Sequence, residues 1–496
     1  MGTIRYIAKN ITETAESIKW VASEGNIAFN AAGEIIQQGK DKLRYNKYEP
    51  VADHAAKDFN IAFSLDKHET TVVPMGILDF NNEYENPYFA FNYILSLADI
   101  DALEFQIKNA EGKVIYQLTN LAPVVVSTAK APQIKNKIKT LLPAYPAKTP
   151  DFKTILEQFS LARSDYTKTG SYVLYWDGFD NDEIYDSTRF NNKKLTAKIT
   201  AIKGNKRKSL EVEFSTHYKQ VNWVDVKIDR KKNRIDTTLR VNLQDGGAEG
   251  LECWKNTRNF NPPHTKSQIC DWDKIPEKAI KYNGELPVKA RTRTFEELQN
   301  LALKGINTYW SRTYKRTDGN GTIIEGKKWE IITNAIQDIN GMIAPEIIYF
   351  TNNEETNFTR SHNWELSRKL YYIVGYTFDN DWKTYEKEDI IYLSDGWYFK
   401  KEINADEEFL ETSAHEIGHQ LLLKYGGHIY SKTHKSTSHW SMIIQEPNSG
   451  TNYPKNGEID LMKYAEDYYP IDYYQRVIVA PEDLLGLIWL TKLSVE

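Results

Sequence analysis

The sequence predicts a multidomain chain, with N-terminal all-β modules followed by an α+β domain organised around one helix. Three observations carry this. At 496 residues the chain is too long for one ordinary hydrophobic core. It holds 31 Tyr and 12 Trp, residues that favour strands, and its apolar runs are mostly short and bounded by turn residues. From Phe295 the pattern changes to a helix, then several strands, then the helix around His415.

Taken in order, residues 1–45 hold short alternating segments around Ile18, Ile27 and Ile35, with Gly25, Gly33 and Gly39 between them. Short strands at a nearly fixed period suggest a β-solenoid-like delivery or docking segment. Residues 50–128 alternate strand-like runs (Thr71–Val73, Tyr88–Phe91, Val114–Tyr116) with polar turns and read as a β-sandwich-like module. Residues 129–150, rich in Lys, Pro and Ala, read as a linker. A second β-sandwich-like module is expected over 151–255, with strands at Tyr172–Trp176, Trp223–Ile228 and Ile235–Val241. Its acidic cluster (Asp177, Asp180, Asp182, Glu183, Asp186) has oxygen ligands for Ca²⁺ but not the EF-hand spacing, and a solvated hairpin turn accounts for it better. The basic run Arg230-Lys231-Lys232 likewise fits a solvated turn between two strands.

Residues 256–291 are irregular and charged, a second linker. The two cysteines, Cys253 and Cys270, could close a loop of about 18 residues as a disulfide or remain free thiols. The α+β domain is expected over 292–496. It opens with an amphipathic helix over Phe295–Ile306 and continues through strands at Lys328–Ile332, Lys369–Val374 and Asp389–Leu393. A closing helix is expected over the apolar run Leu484–Leu490, far short of the ~20 residues that cross a bilayer.

The chemistry concentrates in His415-Glu416-Ile417-Gly418-His419. Four residues apart on a helix, His415 and His419 project from the same face and can take two corners of a Zn²⁺ tetrahedron. Glu416 is placed to act as general base on a water activated there. An acidic start (Asp406, Glu407, Glu408) and Gly426-Gly427 bracket the helix. The third ligand is a question of reach. Helix continues about 12 Å past His419 at 1.5 Å per residue. His428 follows at once and would have to fold straight back, whereas His434 has up to roughly 23 Å of extended chain after Gly427. His434 is therefore the first choice, with a carboxylate from Glu458 or Asp460, His428 and His439 as the alternatives.

This helix resembles that of the metzincins, zinc peptidases of the zincin type, over the first five positions of their signature. Leu422 and Tyr425 stand where that signature has Gly and the third His. Glu458-Ile459-Asp460-Leu461-Met462-Lys463-Tyr464 resembles the metzincin Met-turn. The resemblance implies a zincin-like catalytic domain, Met462 as the floor of the site, and Tyr464 as a ligand or a donor to the oxyanion. In that fold an edge strand beside the zinc pairs with extended peptide, and Ile390–Leu393 is the expected strand.

The chain as a whole resembles toxins and effectors of bacterial contractile injection systems of the type VI kind, through Glu24–Ile36, Tyr175–Gly178, His434–Ser438 and Gly457–Tyr464. That resemblance implies a secreted or injected toxic metalloendopeptidase, cytoplasmic before export. Its partners would be a protein or peptide substrate, a secretion spike or tube, and a cognate immunity protein. The N-terminus has no apolar signal core, in keeping with export that uses no cleavable signal peptide. Net charge is −5, which gives no support to nucleic-acid binding. Two rival functions are a structural or adhesive component of a secretion apparatus with an inactive C-terminal domain, and a zinc amidase acting on cell-wall crosslinks.

Overall fold

A computed structural model of the chain describes residues 58–68, 70–83, 85–119, 125–127, 167–249, 254–255, 268–269, 280–281, 288, 290–353, 360–363, 367–379, 397–426, 430, 433–437 and 445–496. The 1–45 segment, the 129–150 linker, both cysteines, the Ile390–Leu393 strand, His428 and His439 lie outside these residues. Strand is the commonest regular structure among the described residues and far exceeds helix, as the composition predicts for the N-terminal half.

Two sheets face each other at the N-terminal end. One runs in the order Asn60–Leu65, Phe89–Ser96, Gly170–Trp176, Val125–Ser127. The other runs Thr71–Val72, Leu493–Val495, Lys206–Tyr218, Lys193–Lys203, Ala102–Lys108, Val114–Thr119. Alternation along each strand sends apolar side chains to one face: Phe89, Phe91, Tyr93 and Leu95 on one, Leu103, Phe105 and Ile107 on another. The two faces meet in an aromatic layer, where the Phe91 ring lies 5.3 Å from that of Phe105 and 5.6 Å from that of Phe214.

Separate modules over 50–128 and 151–255 are therefore not what forms. Phe89–Ser96 pairs with Gly170–Trp176, and Ala102–Lys108 pairs with Lys193–Lys203. The expected border at 292 is crossed too, because Leu493–Val495 completes the second sheet against both Thr71–Val72 and Lys206–Tyr218. Residues 59–496 form one compact unit. A strand half-buried on one face needs a partner, and it takes whichever strand lies beside it regardless of separation along the chain.

A mixed third sheet supports the C-terminal part. Its spine is the 16-residue strand Arg234–Glu249. The first half pairs in parallel with Lys327–Gln337 and the second half with Met342–Asn353. Arg368–Asp379 extends the sheet in parallel, and Trp397–Lys401 follows antiparallel. Ile280–Lys281, inside the expected 256–291 linker, pairs with Trp397–Lys401. The hairpin expected around the basic run is present, Val224–Asp229 against Arg234–Leu239. Its charges are matched locally, Arg230 to Asp177 and Arg234 to Asp236.

Two helices lie on this sheet. Helix α1 (Phe295–Tyr309) starts from a capping box in which Thr294 and Glu297 satisfy each other's backbone N–H groups. Helix α2 (Ala405–Lys424) carries the His-Glu-x-x-His residues and packs against α1 and strand Arg368–Asp379. The crossing is close: a Cβ on Gly305 would lie 2.1 Å from the Leu410 carbonyl oxygen. Arg293 and the Tyr372 hydroxyl both bond Asp406, fixing the start of α2. Beyond Lys424 the chain turns at Gly426, whose φ of +90° lies in the left-handed region open to glycine. Helix α3 (Pro481–Trp489) is the expected closing helix, buried from Asp483 onward. No helix among the described residues is long and apolar enough to cross a membrane.

Candidate metal centre

Helix α2 presents His415 and His419 on one face, and the chain that leaves it returns to place His434 opposite them. Ligand atoms from the three rings all lie within 4.8 Å of one another. The three histidines and Glu416 are each between 5 and 7% exposed.

Three separate acceptors set the orientation of the rings. His415 Nδ1 bonds the Leu461 carbonyl oxygen at 2.7 Å, and His419 Nδ1 bonds the Tyr430 carbonyl oxygen at 2.8 Å. His434 Nδ1 bonds Gln445 Oε1 at 2.6 Å, and that same oxygen accepts the His434 backbone N–H at 2.9 Å. Carbonyl oxygens only accept, so each Nδ1 carries its hydrogen and each Nε2 keeps a free lone pair. Burial holds the rings neutral, pushing the pKa of His415 down to about 4 and that of His419 to about 3, with His434 lowered as well. Neutral imidazoles with oriented lone pairs are what a divalent metal requires.

Two buried atoms lack a hydrogen-bond partner at this point, His415 Nε2 and Glu416 Oε2. Orphaned buried acceptors are costly unless something meets them, and a cation held by the three histidines would meet His415 Nε2. The residues present therefore fit a metal ion, and this buried trio could hold one. Glu416, one residue from the first ligand, has its carboxyl pushed up to about 8 by burial, opposed by the positive charge of Arg360.

Met462 lies beneath the helix. A Cβ on Gly418 would stand 2.7 Å from its sulfur and 3.1 Å from the Trp310 ring, so any larger residue in the middle of the motif would have to displace Met462. Trp310 Nε1 also donates to the Ala414 carbonyl oxygen at 2.9 Å. Tyr464 stacks on His434 with ring centroids 3.6 Å apart, and its hydroxyl is held protonated by burial first and by the Glu416 charge second.

The other third-ligand candidates within the described residues are engaged elsewhere. Glu458 forms a two-pronged pair with Arg312, and Asp460 holds Lys435 and the Met462 N–H. Tyr425, at the third-histidine position of the metzincin signature, is core: its hydroxyl donates to the Leu78 carbonyl oxygen at 3.0 Å. The acidic cluster proposed for Ca²⁺ is a capped turn. Asp180 binds Arg189 and accepts backbone N–H groups of Asp182 and Ile184, and Asp186 accepts from Thr188.

Sequence reasoning missed Gln445, Lys435, Asn363 and Arg360. Asn363 sits on the two-residue strand His362–Asn363 and donates to the Glu416 carbonyl oxygen at 2.7 Å. Arg360, three residues earlier, puts positive charge on Glu416, all three histidines and Tyr464. None carries a local signal, because each acts on groups 11 or more residues away along the chain. No family model matches the chain, and no curated protein matches its sequence.

Proposed function

We propose that the chain is a zinc-dependent endopeptidase with a zincin-like C-terminal part, exported or injected as a toxin. The observation that carries this is the convergence of three neutral, buried imidazoles whose ligand atoms lie within 4.8 Å of one another, with the buried Glu416, whose Oε2 has no hydrogen-bond partner, next to the first of them on the helix. Three nitrogen donors from histidine suit zinc and leave a fourth position for solvent or substrate.

Bound there, zinc would act as a Lewis acid on a water and on the substrate carbonyl. Glu416 is the group that takes the water's proton and returns it to the leaving amine. Tyr464, protonated and stacked on His434, supplies a hydrogen bond to the carbonyl oxygen as charge develops on it. Arg360 adds a positive field that favours the carboxylate form of Glu416 and the build-up of negative charge beside it. Met462 and Gly418 keep the floor of the site packed and dry.

Glu416→Gln is the decisive variant. Purified wild-type protein should contain one zinc and cleave denatured protein, whereas the variant should keep the zinc and lose at least about a hundredfold in cleavage rate. Cleavage unchanged in Glu416→Gln would refute the mechanism. Hydrolysis of peptidoglycan but not of protein would move the function to cell-wall amides.

A further inference from the structure

Lys435 follows the third histidine directly, and its side chain lies in a partly buried cluster of charge. Its Nζ is 2.6 Å from Asp483 Oδ2, at the start of α3, and 2.8 Å from Asp460 Oδ2. The Asp483 side chain is 1% exposed, and its second oxygen has no hydrogen-bond partner. Lys435 also connects what orients the other two histidines. Asp460 caps the turn whose Leu461 carbonyl holds His415. The ammonium also lies 5.9 Å from the centre of the Tyr430 ring, and the Tyr430 carbonyl holds His419. On the main chain, Lys435 N–H donates to the Met462 carbonyl oxygen at 2.8 Å, and Tyr464 N–H donates to the Lys435 carbonyl oxygen at 3.1 Å.

We infer that Lys435, held by Asp483 and Asp460, is the positioning residue that sets His434 against His415 and His419. This rests on the metal-centre reading above. Two carboxylates from separate elements fix the ammonium in one place, and the main-chain bridge carries that register one residue back to the ligand. Outer groups that orient ligands typically govern metal affinity by ten- to a hundredfold.

The test measures Zn²⁺ affinity by chelator competition, together with the Co²⁺ absorption spectrum and the unfolding of the metal-free protein. In Lys435→Met, Zn²⁺ affinity should fall about ten- to a hundredfold, and the Co²⁺ spectrum should move towards that of His434→Ala. Lys463→Met, in the same bridge but with its side chain on the Asn452 carbonyl, should leave both unchanged. A folded Lys435→Met protein with wild-type affinity and spectrum overturns the inference. Should that variant not fold, Asp483→Asn decides, with several-fold weaker binding expected and unchanged binding overturning it. Failure of the wild-type protein to bind zinc would instead sink the metal centre itself.

Discussion

Glu411 lies one turn before His415 on α2, half-buried, with the Tyr473 hydroxyl 3.4 Å from its carboxylate and no ion-pair partner among the described residues. Burial first, then the charge of Glu408, pushes its pKa up to about 8, while hydrogen bonds from Tyr473 and Thr412 act the other way. Glu408 is raised to about 7 by the same cause. An acid whose folded pKa exceeds its unfolded value binds more protons in the native state, so stability falls as pH rises from about 4.5 through about 8. In metal-free protein, Glu411→Gln should therefore be the more stable form at pH 9 by about 1–2 kcal/mol, less than the full shift because part of the carboxylate's hydration is kept. The difference should vanish near pH 4, where both side chains are neutral, as urea titrations at the two pH values would read. Equal stability at pH 9 would mean the carboxylate is not desolvated.

Between elements, the decisive contact is the crossing of α1 and α2. Gly305 meets the backbone of Leu410, and a methyl there has nowhere to go. Gly305→Ala should cost about 3 kcal/mol and weaken zinc binding, because α2 must shift and its two ligands with it. Thermal unfolding and zinc titration of the same preparation would check both effects. Both helices were legible beforehand, since the apolar spacing over Phe295–Ile306 and the acidic start and following glycines of α2 are all local signals. The close approach was not legible, since nothing in the run of residues around Gly305 says which backbone will lie against it.

Across the whole compact unit, the two ends of the described chain are fastened together. Glu85 accepts from Lys492 Nζ at 2.6 Å and from Trp489 Nε1 at 2.8 Å, with its side chain and that of Lys492 both largely buried. Glu85→Ala leaves a buried ammonium without its partner and should cost about 3 kcal/mol. One continuous hydrophobic cluster runs from Phe59 to Val495. The loss should therefore appear as an earlier transition shared by tryptophan fluorescence and far-UV circular dichroism. Separation of the two signals would indicate that the sandwich and the helix-bearing sheet unfold independently.

The sequence by itself determined that helix α2 exists, that His415 and His419 share a face with Glu416 beside them, and that strands lie around Tyr172–Trp176, Ile235–Val241 and Lys369–Val374. All of these follow from spacing within a few residues, where backbone periodicity dictates the direction of a side chain. It did not single out the long strands Lys193–Lys203, Lys206–Tyr218 and Met342–Asn353. Only the tertiary structure decided how His434 meets that pair, which acceptors orient the rings, and that strands from 60 to 495 form shared sheets rather than separate modules. Those outcomes depend on groups tens to hundreds of residues apart. Their pairing is selected by burial and hydrogen-bond satisfaction in three dimensions, and leaves no periodic trace along the chain.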